Sequence, residues 1–132
     1  MSEIKDEIRN GRIINKEVVT AAAEELAKKR NAKLTKEMMR IAVDSEFERK
    51  NALLNLQRNR DEEDPIKACL KAKEANEIAV KEGKMTPEEF REANRKVDDE
   101  KAKALRSISD EYYTLRNQLQ KQCYDVLNDW DD

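Results

Sequence analysis

The 132-residue sequence contains no histidine. Histidine is the side chain best suited to proton transfer near neutral pH, and it is the commonest protein ligand for metals. Its absence excludes Ser-His-Asp and Cys-His catalytic sites, zinc sites built from His and Cys, and dimetal sites that need Glu-x-x-His ligands. We therefore expect that the protein is not an enzyme and that it has no catalytic residues, no metal site and no cofactor.

Glycine and proline are scarce, with two residues of each. So few turn-forming residues exclude a many-stranded sandwich or barrel. The two glycines, Gly11 and Gly83, are also too far apart for a glycine-rich phosphate loop. Nucleotide binding through such a loop is therefore excluded.

Cysteines and long apolar runs are equally limited. Cys69 and Cys123 are too few for a disulfide framework and are not spaced as a metal site. No run of apolar residues approaches the ~20 needed to span a bilayer, and the first residues lack the apolar stretch of a secretory signal. We expect a cytoplasmic protein, or one assembled inside a cell into a virion, with no membrane contact.

The residues that are abundant are those of long helices. Ala, Glu, Lys, Leu and Arg account for 69 of the 132 residues, and 27 basic residues nearly balance 29 acidic ones. This composition is typical of coiled coils. It predicts a single all-α domain over residues 1–132, an elongated antiparallel helical hairpin or bundle with coiled-coil character and about five helices.

The N-terminal segment, residues 1–31, is predicted to form two short helices. The first carries Ile4 and Ile8 on one face and ends at Gly11, because glycine readily adopts the left-handed conformation that closes a helix. The second begins after Asn15, whose side chain can cap its first turn.

Residues 35–82 are predicted to form an interrupted helix pair, broken near residues 61–64. Thr35 is the expected cap of the first member, which runs to about residue 60. Proline favours the first position of a helix and disfavours helix at the residue before it. Pro65, preceded by Asp64, should therefore start a new helix, which Gly83 would close.

A long C-terminal helix is predicted over residues 87–130. It begins with a capping box, Thr86-Pro87-Glu88-Glu89, in which Glu89 reaches back to the Thr86 amide. Apolar residues then recur at the spacing of three and four that is typical of heptads: Leu105, Ile108, Tyr112, Leu115, Leu119, Cys123, Val126 and Trp130.

Counting outward from the turn near residues 84 and 85 predicts which residues of the two long segments lie opposite each other. This count places Cys69 beside about Glu100 and Trp130 opposite about Met39. Cys123 would then lie ~34 Å further along the helix than the neighbours of Cys69, well beyond the 7 Å limit for a bridge. We therefore predict no intrachain disulfide.

Charge is unevenly distributed, with a net +6 over residues 28–60 and −6 over residues 61–132. A nucleic-acid contact could use the basic residues of the middle segment, namely Lys28, Lys29, Arg30, Lys33, Lys36, Arg40, Arg49 and Lys50. The overall acidity and the lack of aromatic residues there other than Phe47 argue against it. We favour contact between the basic middle and the acidic C-terminal half, within one hairpin or between subunits.

Aromatic residues concentrate near the C-terminus, where Tyr113 and Tyr124 lie off the heptad stripe. Tyr and Trp are enriched in the centres of protein interfaces. The candidate interaction surface is therefore the C-terminal helix, with Leu105, Ile108, Tyr112, Tyr113, Leu115, Leu119, Tyr124, Val126 and Trp130.

These observations predict a non-enzymatic interaction or assembly protein, such as a scaffolding, adaptor or virion-associated structural component. It would act through coiled-coil-like helix packing, by binding a protein partner or itself through the C-terminal helix. No small-molecule substrate is expected. The alternative is a small acidic inhibitor or decoy that binds a basic site on a partner.

Overall fold

The computed structural model describes residues 3–11 and 13–129, and all regular secondary structure within these ranges is helical. Four helices pack together: α1 (Glu3–Arg9), α2 (Lys16–Lys29), α3 (Lys36–Lys81) and α4 (Pro87–Asn128). The prediction of an all-α protein is confirmed. The prediction of five helices is not, because the residues predicted to form the third and fourth helices form α3 alone.

The expected break near residues 61–64 is absent, and Pro65 lies inside α3. A proline inside a helix removes one backbone hydrogen bond and clashes with the preceding turn, at a cost of ~3 kcal/mol. Residues on both sides of Pro65 belong to the same compact unit, which also contains the first half of α4. Packing of both flanks in this unit offsets the local cost, so the helix continues through the proline.

The predicted helix starts after Asn15 and Thr86 are confirmed in detail. The Asn15 side chain accepts hydrogen bonds from the Glu17 and Val18 amides at 2.9 and 3.3 Å. Thr86 Oγ1 accepts from the Glu89 amide at 3.1 Å, while Glu89 Oε1 accepts from the Thr86 amide at 3.0 Å. These bonds satisfy amides that would otherwise lack partners at the first turn of a helix.

The turn between α3 and α4 depends on Gly83, whose φ of +75° is strained for residues with a side chain. The Lys84 amide donates to the Ala79 carbonyl at 2.8 Å, and the Gly83 amide donates to the Val80 carbonyl at 3.1 Å. This pair of bonds closes the helix as a Schellman motif. The chain then reverses direction within a few residues.

The chain divides into two compact units, of which unit 1 comprises the described residues of 1–57 and 112–132. Helix α2 packs against the start of α3 and the end of α4 in this unit. The buried residues of this cluster include three alanines, which let the helices approach closely: Val19, Ala23, Ala27, Met38, Met39, Ala42, Val43, Cys123 and Leu127.

Unit 2, Arg58–Glu111, is an antiparallel pairing of α3 with α4 and has a thin interior. Cys69 is its one fully buried apolar residue. Polar contacts also link the two helices: Asn76 Nδ2 donates to Asn94 Oδ1 at 2.9 Å, and Lys73 pairs with Asp98 at 2.7 Å. Cys69 and Glu100 line one groove between the helices. They are therefore neighbours, as counting from the turn predicted.

Both cysteines are free thiols, Cys69 in unit 2 and Cys123 in unit 1. Within residues 3–11 and 13–129, no helix combines the length and apolar character needed to cross a membrane.

Candidate interaction surface

The residues predicted as an interaction surface on α4 divide into three groups by burial. Tyr112, Leu115 and Leu119 are buried within the chain itself, with exposed fractions of 3% or less. The half-buried members are Leu105, Ile108 and Val126. Tyr113 and Tyr124 are exposed, and Trp130 lies outside the described residues. The interaction surface on α4 therefore stays a prediction. Its exposed members within the described residues are Tyr113 and Tyr124.

The buried stripe of α4 departs from the heptad spacing toward the C-terminus. After Leu115, the buried residues follow at intervals of four, so that Leu127 is buried and Val126 only half-buried. Coiled coils need a mean spacing of 3.5 residues, which keeps one seam facing the partner helix. The coiled-coil prediction is therefore not confirmed over this part of α4.

Helix α1 covers part of the stripe on α4. The Lys5 ammonium lies 4.9 Å from the centre of the Tyr112 ring, within the range of a cation–π contact. Gln122 Nε2 donates to the Ile8 carbonyl oxygen at 2.7 Å. These contacts explain why the central residues of α4 are buried within the chain.

The exposed tyrosines lie on one face of α4. Tyr113 and Tyr124 are 11 residues apart, which is about three helical turns, so their side chains project in nearly the same direction. Their surroundings differ, because Tyr124 lines a groove with Lys36 and Arg40 from the start of α3. The count from the turn predicted Trp130, not Tyr124, near these cations, opposite about Met39.

Helix α3 exposes more large aliphatic side chains than any other described helix. The exposed residues are Ile41, Leu53, Leu56, Ile66, Leu70 and Ile78. The prediction of a helix pair over residues 35–82 did not separate these exposed residues from the buried ones. Ile66, Cys69 and Leu70 have the i, i+3, i+4 spacing of a single apolar face, yet only Cys69 of these three is buried.

Within unit 2, a shallow groove runs along α3 beside Leu70. Its lining residues are small, apolar or charged, namely Asp64, Lys67, Ala68, Leu70, Lys71 and Glu74. Lys67 is also 3.9 Å from Glu63 on the same helix, in an ion pair between two exposed side chains. The groove thus has a leucine at its centre and charges of both signs around it.

The buried polar groups lie in unit 1. Glu46 is 5% exposed and forms a 2.5 Å salt bridge with Arg49, one turn along α3. Burial raises the pKa of the Cys123 thiol to about 11, and the carboxylates of Asp44 and Glu46 add to this effect. A thiol with a pKa that high is protonated at neutral pH and is a poor nucleophile.

The described residues contain no group of three or more Cys, Asp or Glu side chains that could hold a metal ion. No protein-family model, curated protein or solved structure matches the chain. The candidate surfaces must therefore be judged from their own geometry and charge.

Proposed function

We propose that the protein is a non-enzymatic helical assembly protein whose copies associate through the exposed side of α3 between residues 63 and 81. The observation that carries this proposal is the exposure of Ile66, Leu70 and Ile78, which are 40, 60 and 55% exposed. Apolar surface in water costs ~25 cal/mol per Å², and grouped apolar side chains mark interaction sites. A second helix packed on this stretch would remove that surface from water.

The charges on the same stretch favour a second copy of α3 as the partner. They follow one another in groups of alternating sign: Glu63 and Asp64, then Lys67 and Lys71, then Glu74 and Glu77, then Lys81. An antiparallel copy with its two-fold axis near residue 72 places the first acidic pair opposite Lys81. The same alignment places Lys67 opposite Glu77 of the second copy. Lys71 faces Lys73, which pairs with Asp98 of its own chain, and lies one residue from Glu74.

Such an arrangement is self-complementary. A two-fold axis repeats every contact, so each opposite-charge contact forms twice in the dimer. Charges that flank an apolar strip set the register and orientation of packed helices. The stretch is ~28 Å long at 1.5 Å per residue, which makes a small interface, and we expect dissociation in the micromolar range.

The molar mass measured by light scattering after size exclusion tests this proposal. The mass should rise from 15.4 kDa toward twice that value as the loaded concentration increases from about 1 μM to about 500 μM. The double variant Leu70→Glu with Ile78→Glu should have the mass of a single chain at every concentration in this range. Val18→Glu serves as the matched control, because Val18 is an exposed aliphatic residue on α2.

Two results would contradict assembly through α3. One is a wild-type mass of a single chain at the highest concentration, which would favour the alternative of an inhibitor that acts as a monomer. The other is an association that survives Leu70→Glu with Ile78→Glu but is lost in Tyr113→Ser with Tyr124→Ser. That pattern would place the contact on α4, as the sequence predicted.

A further inference from the structure

A cluster of basic side chains lies in unit 1, where α2 ends and α3 begins. Residues 28–40 contain six cations and a single acid, Glu37. All six cations are exposed: Lys28, Lys29, Arg30, Lys33, Lys36 and Arg40. We call these six residues the basic cluster.

Helix stability accounts for only part of the basic cluster. Lys28 and Lys29 occupy the last turn of α2, where cations interact favourably with the negative end of the helix dipole. Lys36 is the first residue of α3, where the dipole disfavours positive charge, and Lys33 lies in the connection before it. The helix dipole therefore does not account for these two lysines.

The structure places an exposed aromatic ring beside the basic cluster. Tyr124 of α4 lines a groove of about 420 Å³ together with Lys36 and Arg40, and the remaining lining residues are Asp44, Leu127 and Asn128. Tyr124 is 56% exposed. The absence of an aromatic side chain from this stretch argued against nucleic-acid binding at the level of sequence, and the packing of α4 on α3 supplies one.

We propose that the basic cluster and Tyr124 together bind single-stranded nucleic acid. The cations neutralise backbone phosphates, and the Tyr124 ring stacks on an unpaired base. An acidic peptide without aromatic residues would satisfy the cations but would bring no planar ring to stack on the tyrosine. A duplex would offer phosphates while keeping its bases paired and out of reach of Tyr124.

Acidic neighbours limit the strength of this site. Asp44 lines the same groove, Glu37 lies within the basic segment, and Asp125 follows Tyr124 in the sequence. Glu24, which lines a separate groove with Lys28, is a fourth carboxylate, and the six cations outnumber these four. We expect weak binding that depends strongly on salt.

Fluorescence anisotropy of a labelled 20-nucleotide oligothymidine, titrated with the full chain, tests the proposal. Six neutralised phosphates predict a slope of about −4 for the logarithm of affinity against the logarithm of salt concentration. Tyr124→Ala should weaken binding about tenfold, since base stacking is lost. Lys33→Gln with Lys36→Gln should reduce the slope by about 1.4.

Tyr113→Ala provides the matched control, because Tyr113 is also an exposed tyrosine on the same face of α4 but does not line the basic groove. It should bind the oligonucleotide as the wild type does. The same oligonucleotide in duplex form should bind more weakly than the single strand.

Three results would overturn the proposal. The first is no binding at 50 mM salt, a concentration at which phosphate contacts are strong. The second is equal affinity of Tyr124→Ala and Tyr113→Ala. The third is binding of poly-glutamate as tight as that of the oligonucleotide, which would indicate a site for acidic proteins. None of these results depends on whether α3 forms a dimer, because Leu70→Glu leaves the basic cluster and Tyr124 unchanged.

Discussion

The side-chain amide of Gln122 donates a hydrogen bond to the backbone carbonyl of Ile8, which is 114 residues away in the sequence. The Nε2–O distance is 2.7 Å, and the Ile8 side chain is 1% exposed. Helix α1 has only seven residues, and isolated helices shorter than ~12 residues are marginal in water. This hydrogen bond and the burial of Ile8 therefore hold α1 in place against α4.

Ile8→Ala should release α1 from α4. Removing a buried isoleucine side chain beyond Cβ costs ~2–5 kcal/mol, because transfer energy is lost and a cavity is left. The amides of residues 7–10, which can bond to carbonyls of α1, should lose their protection in hydrogen exchange while those of α3 keep theirs. Glu7→Ala, an exposed neighbour, is the control, and continued protection of α1 in Ile8→Ala would show that other contacts hold this helix.

Pro65→Ala should stabilise the protein, because alanine restores the missing backbone hydrogen bond inside α3. The expected gain in the free energy of unfolding is ~1–3 kcal/mol, measured by urea denaturation. Pro87→Ala is the matched comparison and should change stability by less than ~0.5 kcal/mol, since Pro87 occupies the first position of α4. Equal effects of the two substitutions would indicate that Pro65 also begins a helix.

Leu119→Asp should disrupt unit 1, because Leu119 is fully buried and an unpaired carboxylate there is costly. The free energy of unfolding should fall by ~3–5 kcal/mol, and Leu115→Asp should lower it by a similar amount. Thermal melting followed by circular dichroism measures this loss. Asn117→Asp, an exposed position on the same helix, should melt as the wild type does. Cooperative melting at the wild-type temperature in both leucine variants would show that the buried face of α4 is assigned wrongly.

Cys123 should react slowly with thiol reagents in the folded protein. Burial raises the pKa of its thiol to about 11, so the folded state favours the protonated form. The raised pKa adds to the free energy of unfolding at any pH below the ordinary thiol pKa of 9.0, which applies to the unfolded chain. This contribution is lost as the pH rises through about 11, the pKa in the folded protein.

Labelling with a chromogenic disulfide in a Cys69→Ala background isolates Cys123. At about pH 8 the native protein should react at least ~100-fold more slowly than the protein unfolded in urea, since only the exposed thiolate attacks. Comparable rates in the two states would mean that the end of α4 opens readily.

Local signals in the sequence predicted the helix ends well. The caps at Asn15 and at Thr86 with Glu89 depend on side chains within three residues of the amides that they bind. Pro65 shows the limit of such signals. Its local preference predicted a helix start, which was wrong, because the packing of both of its flanks, a long-range effect, lets α3 continue through it.

The surfaces were harder to predict than the helices. The apolar period of α4 identified Tyr112, Leu115 and Leu119, which are buried, but it could not tell packing within the chain from packing against a partner. The groove that joins Tyr124 to Arg40 combines residues from opposite ends of the sequence. Local sequence signals do not connect residues so far apart in the chain, so this groove was not predicted.

Chemical crosslinking at residue 74 tests the α3 assembly most directly. With the two-fold axis near residue 72, the two copies of position 74 lie within ~6 Å of each other along the helix axis, while the two copies of position 63 are ~27 Å apart. A bismaleimide with a reach of about 10 Å, similar to the separation of packed helices, should therefore give a covalent dimer of Glu74→Cys. Glu63→Cys should remain uncrosslinked, and so should the wild type, because its two cysteines are buried. Equal crosslinking of Glu74→Cys and Glu63→Cys, or none in either, would contradict the proposed antiparallel dimer.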